Sequence, residues 1–157
     1  MKIRIENLRD GSNHWIEEID PKDLDLDTDS FKNPVVVKLD IEKRSGKITV
    51  SFSAETKGSF ICDRCGENFQ MNIVGKCSVM FVQRETQLPD EMPGDDLRSF
   101  RPGQTEINIS VDIRDTLLLA LPFRLLCSEN CLGVCPDCGA NLNKEKCKCD
   151  KQDASTN

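Results

Sequence analysis

Ile48-Thr-Val-Ser-Phe-Ser-Ala-Glu-Thr-Lys-Gly-Ser-Phe-Ile-Cys62-Asp-Arg-Cys-Gly66 is the stretch whose reading decides the fold. Ile48, Val50, Phe52 and Ala54 share one face and polar residues alternate with them, the period of a strand with one buried side. The phase runs on through Thr56, Gly58, Phe60 and Cys62, so one long strand arrives at Cys62. Beyond Gly66 the apolar residues move to the odd positions: Phe69, Met71, Ile73, Gly75, Cys77, Val79 and Phe81. Two long strands exchanging phase around Cys62–Gly66 predict a β-hairpin with that segment at its tip. Cys77 falls on the inward phase and reads as a small core residue.

Upstream, Val35, Val37, Leu39 and Ile41 alternate with polar partners, and 43–47 (Lys-Arg-Ser-Gly-Lys) reads as a turn. Ile3–Leu8 alternates weakly and suggests an edge strand. Glu17, Glu18, Asp20, Asp23, Asp25, Asp27 and Asp29 form an acidic segment expected to be a solvated loop. Downstream, 84–105 holds Pro89, Pro93 and Pro102 without periodicity, the pattern of a long mobile loop. Ile107, Ile109 and Val111 predict a short strand. Asp112 is the expected N-cap of a helix through Leu121, stopped by Pro122. Residues 113, 117, 118, 119 and 121 surround most of its axis, so it should be buried against the sheet. The expected fold is mainly β (α+β): an antiparallel long-stranded sheet or partial barrel, one short buried helix and a C-terminal zinc knuckle. Residues 1–126 would form the β-rich domain, 127–150 the cysteine-rich zinc-binding segment and 151–157 a frayed tail.

A chain of 157 residues can bury a core without disulfide staples. No apolar run approaches the ~18 residues of a membrane span, and Met1–Glu6 carries charges where an export signal would be apolar. A soluble, cytoplasmic protein without a membrane partner is the expectation. The net charge of −6 argues against a uniformly basic nucleic-acid binder. Nine cysteines in such a chain point to metal rather than disulfides.

Cys62-Asp-Arg-Cys65-Gly and Cys135-Pro-Asp-Cys138-Gly are C-x-x-C-G knuckles, in which two intervening residues let both thiolates face one ion. Cys127/Cys131 and Cys147/Cys149 are looser pairs, each able to complete a tetrahedron. Four pairs make two four-thiolate sites, and Cys77 is left over. Cys135/Cys138 and Cys147/Cys149 lie eight residues apart, close enough to fold over one ion. That leaves Cys62/Cys65 with Cys127/Cys131 across a loop of about sixty residues. A ribbon-like pairing of Cys62/Cys65 with Cys135/Cys138 is the competing arrangement.

Two zinc ions per chain follow, with iron as a substitute because it shares the preference for four thiolates. Catalytic zinc usually keeps an open position; eight thiolates fill two closed sites, and His14, the only histidine, lies far away in sequence. A redox C-x-x-C opens a helix after a strand, whereas Cys62/Cys65 lies between strands. No phosphate loop, nucleophile–histidine–acid set or paired carboxylate motif appears. The expectation is no enzyme and no small-molecule substrate.

Phe60-Ile-Cys-Asp-Arg-Cys-Gly66, Leu117-Leu-Leu-Ala-Leu-Pro122 and the block Cys127–Asn143 together resemble the bacterial and plastid YceD family, described as large ribosomal RNA subunit accumulation proteins. The likeness covers about residues 30–150. It implies that the family's cysteines map onto Cys62, Cys65, Cys127 and Cys131, and in members with the longer tail onto Cys135, Cys138, Cys147 and Cys149. Gly133-Val-Cys135 departs conservatively from the family's usual Gly-Leu-Cys. The implied function is a non-enzymatic role in synthesis, processing or stability of large-subunit (23S) ribosomal RNA during ribosome biogenesis.

Two filled four-thiolate zinc sites would carry the chain from −6 to about −10, so any RNA contact must be local. The candidates are Arg64 beside the first knuckle, Lys43, Arg44 and Lys47 at the turn, and Lys144, Lys146 and Lys148 around the second. Their bland reading is a solvated face, and exposed aromatics for base stacking are scarce, with no tyrosine and one tryptophan, Trp15. The partner is therefore either large-subunit rRNA or a basic ribosomal protein recognised by the acidic loops.

Overall fold

Val37, Leu39 and Ile41 face Ala54, Phe52 and Val50 across the first hairpin, all buried on one side of the sheet. The computed structural model describes residues 1–84, 97–147 and 149. The strands are β1 (Lys2–Arg4), β2 (Gly11–Ile19), β3 (Val35–Arg44), β4 (Lys47–Ile61), β5 (Asn68–Gln83), β6 (Leu97–Phe100) and β7 (Glu106–Asn108), followed by helix α1 (Ser110–Leu119). One sheet has the order β2-β3-β4-β5-β6; β1 and β7 pair separately, with Ile3 opposite Ile107. Ser45 and Gly46, both at positive φ, make the two-residue turn between β3 and β4 that suits the twist of a hairpin. The expected mainly β fold with one helix is therefore what the chain adopts.

The chain divides into two compact units. One holds Met1–Gly58 and the described residues of Asn72–Leu121; the other holds Ser59–Met71 and the described residues from Pro122 onward. The hairpin tip thus shares a unit with all eight paired cysteines.

The N-terminal half differs from expectation. Only 2–4 of the proposed edge strand are extended, and Ile5–Asn7 turns in a 3-10 helix. The acidic segment is not simply a loop: its start, Glu17 and Glu18, belongs to β2, which pairs along its whole length with β3. Asn13, Trp15 and Glu17 oppose the buried Ile41, Leu39 and Val37, while Ile16 sits on the other face. The apolar and polar positions are inverted there, so no alternation marks the strand. After it, the 3-10 helix Pro21–Leu24 is capped by the Asp20 carboxylate, which accepts from the Lys22 N–H (2.9 Å). Leu24, Leu26 and Phe31 are buried, anchoring a segment whose carboxylates face water.

Within the expected loop 84–105, Leu97–Phe100 is β6, parallel to β5 with Met80 opposite Leu97 and Gln83 opposite Phe100. Four residues containing Arg98 and Ser99 carry no period to read. Residues 85–96 of the expected mobile loop lie outside those described. Cys77 is half-buried rather than a core residue, although it keeps the inward phase.

Helix α1 begins two residues before Asp112. Asn108 Oδ1 accepts from the Ser110 N–H (2.9 Å), and Asp112 sits inside the first turn. It is buried and takes a two-pronged ion pair from Arg98, at 2.9 and 2.5 Å. The helix is also one-sided: Ile113 and Leu117 are fully buried, whereas Leu118 is 44% and Leu119 85% exposed. A stripe rather than the full circumference meets the core. Among the described residues no helix is long and apolar enough to cross a membrane.

Candidate metal centre

The two C-x-x-C-G turns have the same backbone. Gly66 N–H donates to Cys62 O, and Gly139 N–H to Cys135 O, both at 2.9 Å. Cys62 N–H closes on Glu67 O and Cys135 N–H on Ala140 O, again both at 2.9 Å. Gly66 (φ 71°) and Gly139 (φ 72°) hold the left-handed conformation each turn needs, which glycine adopts without a Cβ penalty. Each turn thereby aims two sulfurs the same way.

The structure gathers Cys62, Cys65, Cys127 and Cys131 into one group and Cys135, Cys138, Cys147 and Cys149 into another, the sulfurs of each within 4.8 Å of one another. In the first, Cys62–Cys131 and Cys65–Cys127 are both 3.7 Å apart. In the second, Cys135–Cys149 and Cys138–Cys147 are 3.8 Å apart and Cys135–Cys147 is 3.3 Å. Four Zn–S bonds of ~2.3 Å in a tetrahedron put sulfurs ~3.8 Å apart. All nine thiols are unbridged. Both groups can therefore hold a metal ion, and the donor set suits a soft one in a closed site. The ribbon-like pairing is not what the chain forms, and Cys77 stays outside both groups.

The first group is the better covered: Cys62, Cys65 and Cys131 are buried and Cys127 is exposed, whereas in the second only Cys135 is buried. Asp63 brings the long-range partners together. Its backbone N–H donates to Leu125 O (2.8 Å), and its carboxylate accepts from the Leu125 N–H (2.7 Å). Arg64 clamps the next stretch by donating to Cys131 O (3.0 Å) and Glu129 O (3.4 Å).

Without metal, the thiols compete for protons. Burial tends to raise Cys62, but backbone N–H groups of Cys127, Cys65 and Arg64, with the Cys65 thiol, outweigh it and draw Cys62 down to about 6. Cys127 is pushed up to about 12, first by the Cys131 thiol and then by burial. Cys149 is likewise pushed up to about 12, mainly by the thiols of Cys138 and Cys147. A cluster of four thiols that sheds one proton readily resists shedding the rest, and an ion must displace them.

The basic candidates fall in both units. Lys43, Arg44 and Lys47 belong to the sheet unit, and Arg64, Lys144 and Lys146 to the cysteine unit. Lys43 donates to Leu8 O (3.2 Å), Arg44 pairs with Glu42 (2.6 Å) and Lys144 with Glu67 (2.6 Å). Lys148 lies outside the described residues. His14, with Asp40 as its partner, belongs to β2 in the sheet unit. Asp63, Glu67, Asn141 and Asn143, which brace the clusters, were not singled out from the sequence. Their one signal is position, inside a C-x-x-C-G turn or within the four residues after its glycine.

The family model described as "Large ribosomal RNA subunit accumulation protein YceD" matches residues 50–157, a stretch containing all eight clustered cysteines. The chain is 28% identical over 144 residues to the chloroplastic large ribosomal RNA subunit accumulation protein YCED homolog 1 of Arabidopsis thaliana, covering 76% of this chain and 45% of that protein. To the homolog 1 of Zea mays it is 29% identical over 144 residues, covering 75% and 49%. The chain thus spans about half the length of these curated relatives. No solved structure matches. With two four-sulfur clusters inside the matched stretch, the chain belongs to the YceD family of large ribosomal RNA subunit accumulation proteins.

Proposed function

We propose that the protein is a non-enzymatic, zinc-binding factor that supports the synthesis, processing or stability of large-subunit (23S) ribosomal RNA, acting in the cytoplasm. The observation that carries this reading is the coincidence of the family match with the two clusters: the matched stretch is also the one that can hold two ions. Four thiolates per ion leave no position for a substrate, so zinc here braces structure. Iron would fit the same donors and would show as visible absorbance. RNA contact is local, through lysines such as Lys47 and Lys146, whose amines make no hydrogen bond or ion pair among the described residues.

Depleting the protein in its host and measuring mature and precursor 23S against 16S rRNA is the direct test. A selective fall of 23S is expected; an unchanged ratio overturns the reading. Binding of large-subunit rRNA fragments should weaken steeply with salt if lysines meet phosphates.

A second reading, an acidic module for a basic ribosomal protein, is favoured by one observation. None of Glu17, Glu18, Asp20, Asp23, Asp25, Asp27 and Asp29 forms an ion pair among the described residues, and the first two lie on the sheet's edge strand β2. Capture of basic ribosomal proteins without rRNA would support it.

A further inference from the structure

The eight residues between Cys138 and Cys147 close the second cluster, but their side chains reach toward the first. Asn143 Nδ2 lies 3.4 Å from Cys131 Sγ and is positioned to donate to it. The Asn143 Oδ1 accepts from the Leu132 N–H at 2.8 Å, so one amide grips two successive residues of the first cluster's strand of chain. Leu142 N–H donates to Gly133 O (2.9 Å), and Asn141 bridges to Val134. The same loop holds the hairpin tip: Asn141 Nδ2 donates to Glu67 Oε1 (3.3 Å), and Lys144 pairs with that oxygen at 2.6 Å. Asn141 Oδ1 in turn accepts from the Asn143 backbone and side chain, at 3.0 and 2.9 Å, fixing the amide's orientation. All of these residues belong to the cysteine unit.

A thiolate that receives an N–H donor is stabilised as an anion and held in place as a ligand. Removing such an outer-shell partner typically costs 10–100-fold in metal affinity. Asn143 can act this way only while its loop is closed, and the loop's two ends are the cysteine pairs of the second cluster. We propose that Asn143 is a positioning residue that couples the two clusters, so that an ion at Cys135, Cys138, Cys147 and Cys149 tightens the site at Cys62, Cys65, Cys127 and Cys131. This rests on reading both clusters as metal sites. Coupling is reciprocal, so an ion in the first cluster also favours closure of the second.

The test uses the full chain loaded with zinc, challenged with a graded chelator and a thiol-alkylating reagent, with alkylation of each cysteine read by mass spectrometry. In Asn143→Ala the first four cysteines should become reactive at about 10–100-fold lower chelator than in the parent chain. Asn143→Asp keeps an acceptor for the Leu132 N–H but cannot donate to sulfur, so it should lose as much. Disabling the second cluster with Cys138→Ser and Cys147→Ser should weaken the first by a similar factor, and adding Asn143→Ala to that chain should change little more. Such non-additivity marks coupling through Asn143. Full protection of the first four cysteines in the second-cluster variant makes the sites independent and overturns the proposal, as does parent-like protection in Asn143→Asp. If zinc protects neither set in the parent chain, the metal reading fails and takes the coupling with it.

Discussion

Gly75 on β5 faces Thr116 of α1 so closely that a Cβ there would lie 2.5 Å from Thr116 Cγ2 and 2.7 Å from Thr116 O. A methyl could be accommodated at the side chain by rotation, but the carbonyl is helix backbone and moves only with the helix. Gly75→Ala should therefore displace α1 from the sheet and destabilise by about 1–3 kcal/mol, read as a lowered denaturant midpoint; an unchanged midpoint would show that the helix yields freely. The Arg98–Asp112 pair works differently. Asp112 is 7% exposed at its side chain and Arg98 38%, so the carboxylate depends on the guanidinium more than the reverse. Arg98→Met leaves that buried carboxylate without its donors and should cost about 1–3 kcal/mol. Asp112→Asn should cost less, and combining the two should recover part of the loss in an unfolding titration. If the changes simply add, the pair is not coupled.

Among the elements, β3, β4 and β5 were legible because each turns one face inward: every even residue from Ile48 to Cys62 is buried, and β5 keeps the phase although Phe69, Met71 and Cys77 are only half-buried. The eight clustered cysteines were legible for a separate reason, since C-x-x-C-G spacing constrains backbone and chemistry together. What escaped was set by tertiary context. Trp15 and Glu17 take their facing from β3, to which β2 is paired, and Arg98 makes β6 a strand only by lying beside β5 and reaching Asp112. The helix start was misplaced because Asp112 resembles an N-cap, while its partner is an arginine and the turn is opened by Asn108. The two knuckles repeat one backbone, yet they secure different partners. Cys62→Ser should speed amide exchange about tenfold or more at Asp63 and Gly66, whose bonds reach Leu125 O and Cys62 O. Cys135→Ser should do so chiefly at Gly139, Lys144 and Glu145, with Ile48–Ala54 still protected. Metal content should fall by about one ion in either variant. If Cys135→Ser speeds exchange at Asp63 and Gly66 as strongly as Cys62→Ser does, the division of labour is wrong.

At the scale of the whole molecule, charge and metal are linked through protons. The chain carries −6 before any thiol ionises, so concentrating four thiolates in each cluster is tolerable only when a cation sits among them. In the metal-free chain Cys127 and Cys149 are held at about 12, one in each cluster, and both are therefore protonated at neutral pH. An ion entering either cluster must release at least that proton. The sign follows directly: lowering the pH supplies the competitor and weakens binding, and raising it tightens binding by at least about tenfold per pH unit for each ion. Zinc competition between pH 6 and 8 should show this slope, together with about two ions per chain by elemental analysis of protein purified without added metal. Cys62, at about 6, is already largely ionised across much of that window and contributes least to the slope. A pH-independent affinity would mean that the clusters are already deprotonated when metal arrives, contrary to the thiol-to-thiol hydrogen bonding that the geometry imposes. Metal content near zero with every thiol reactive would remove the basis for treating the clusters as sites at all.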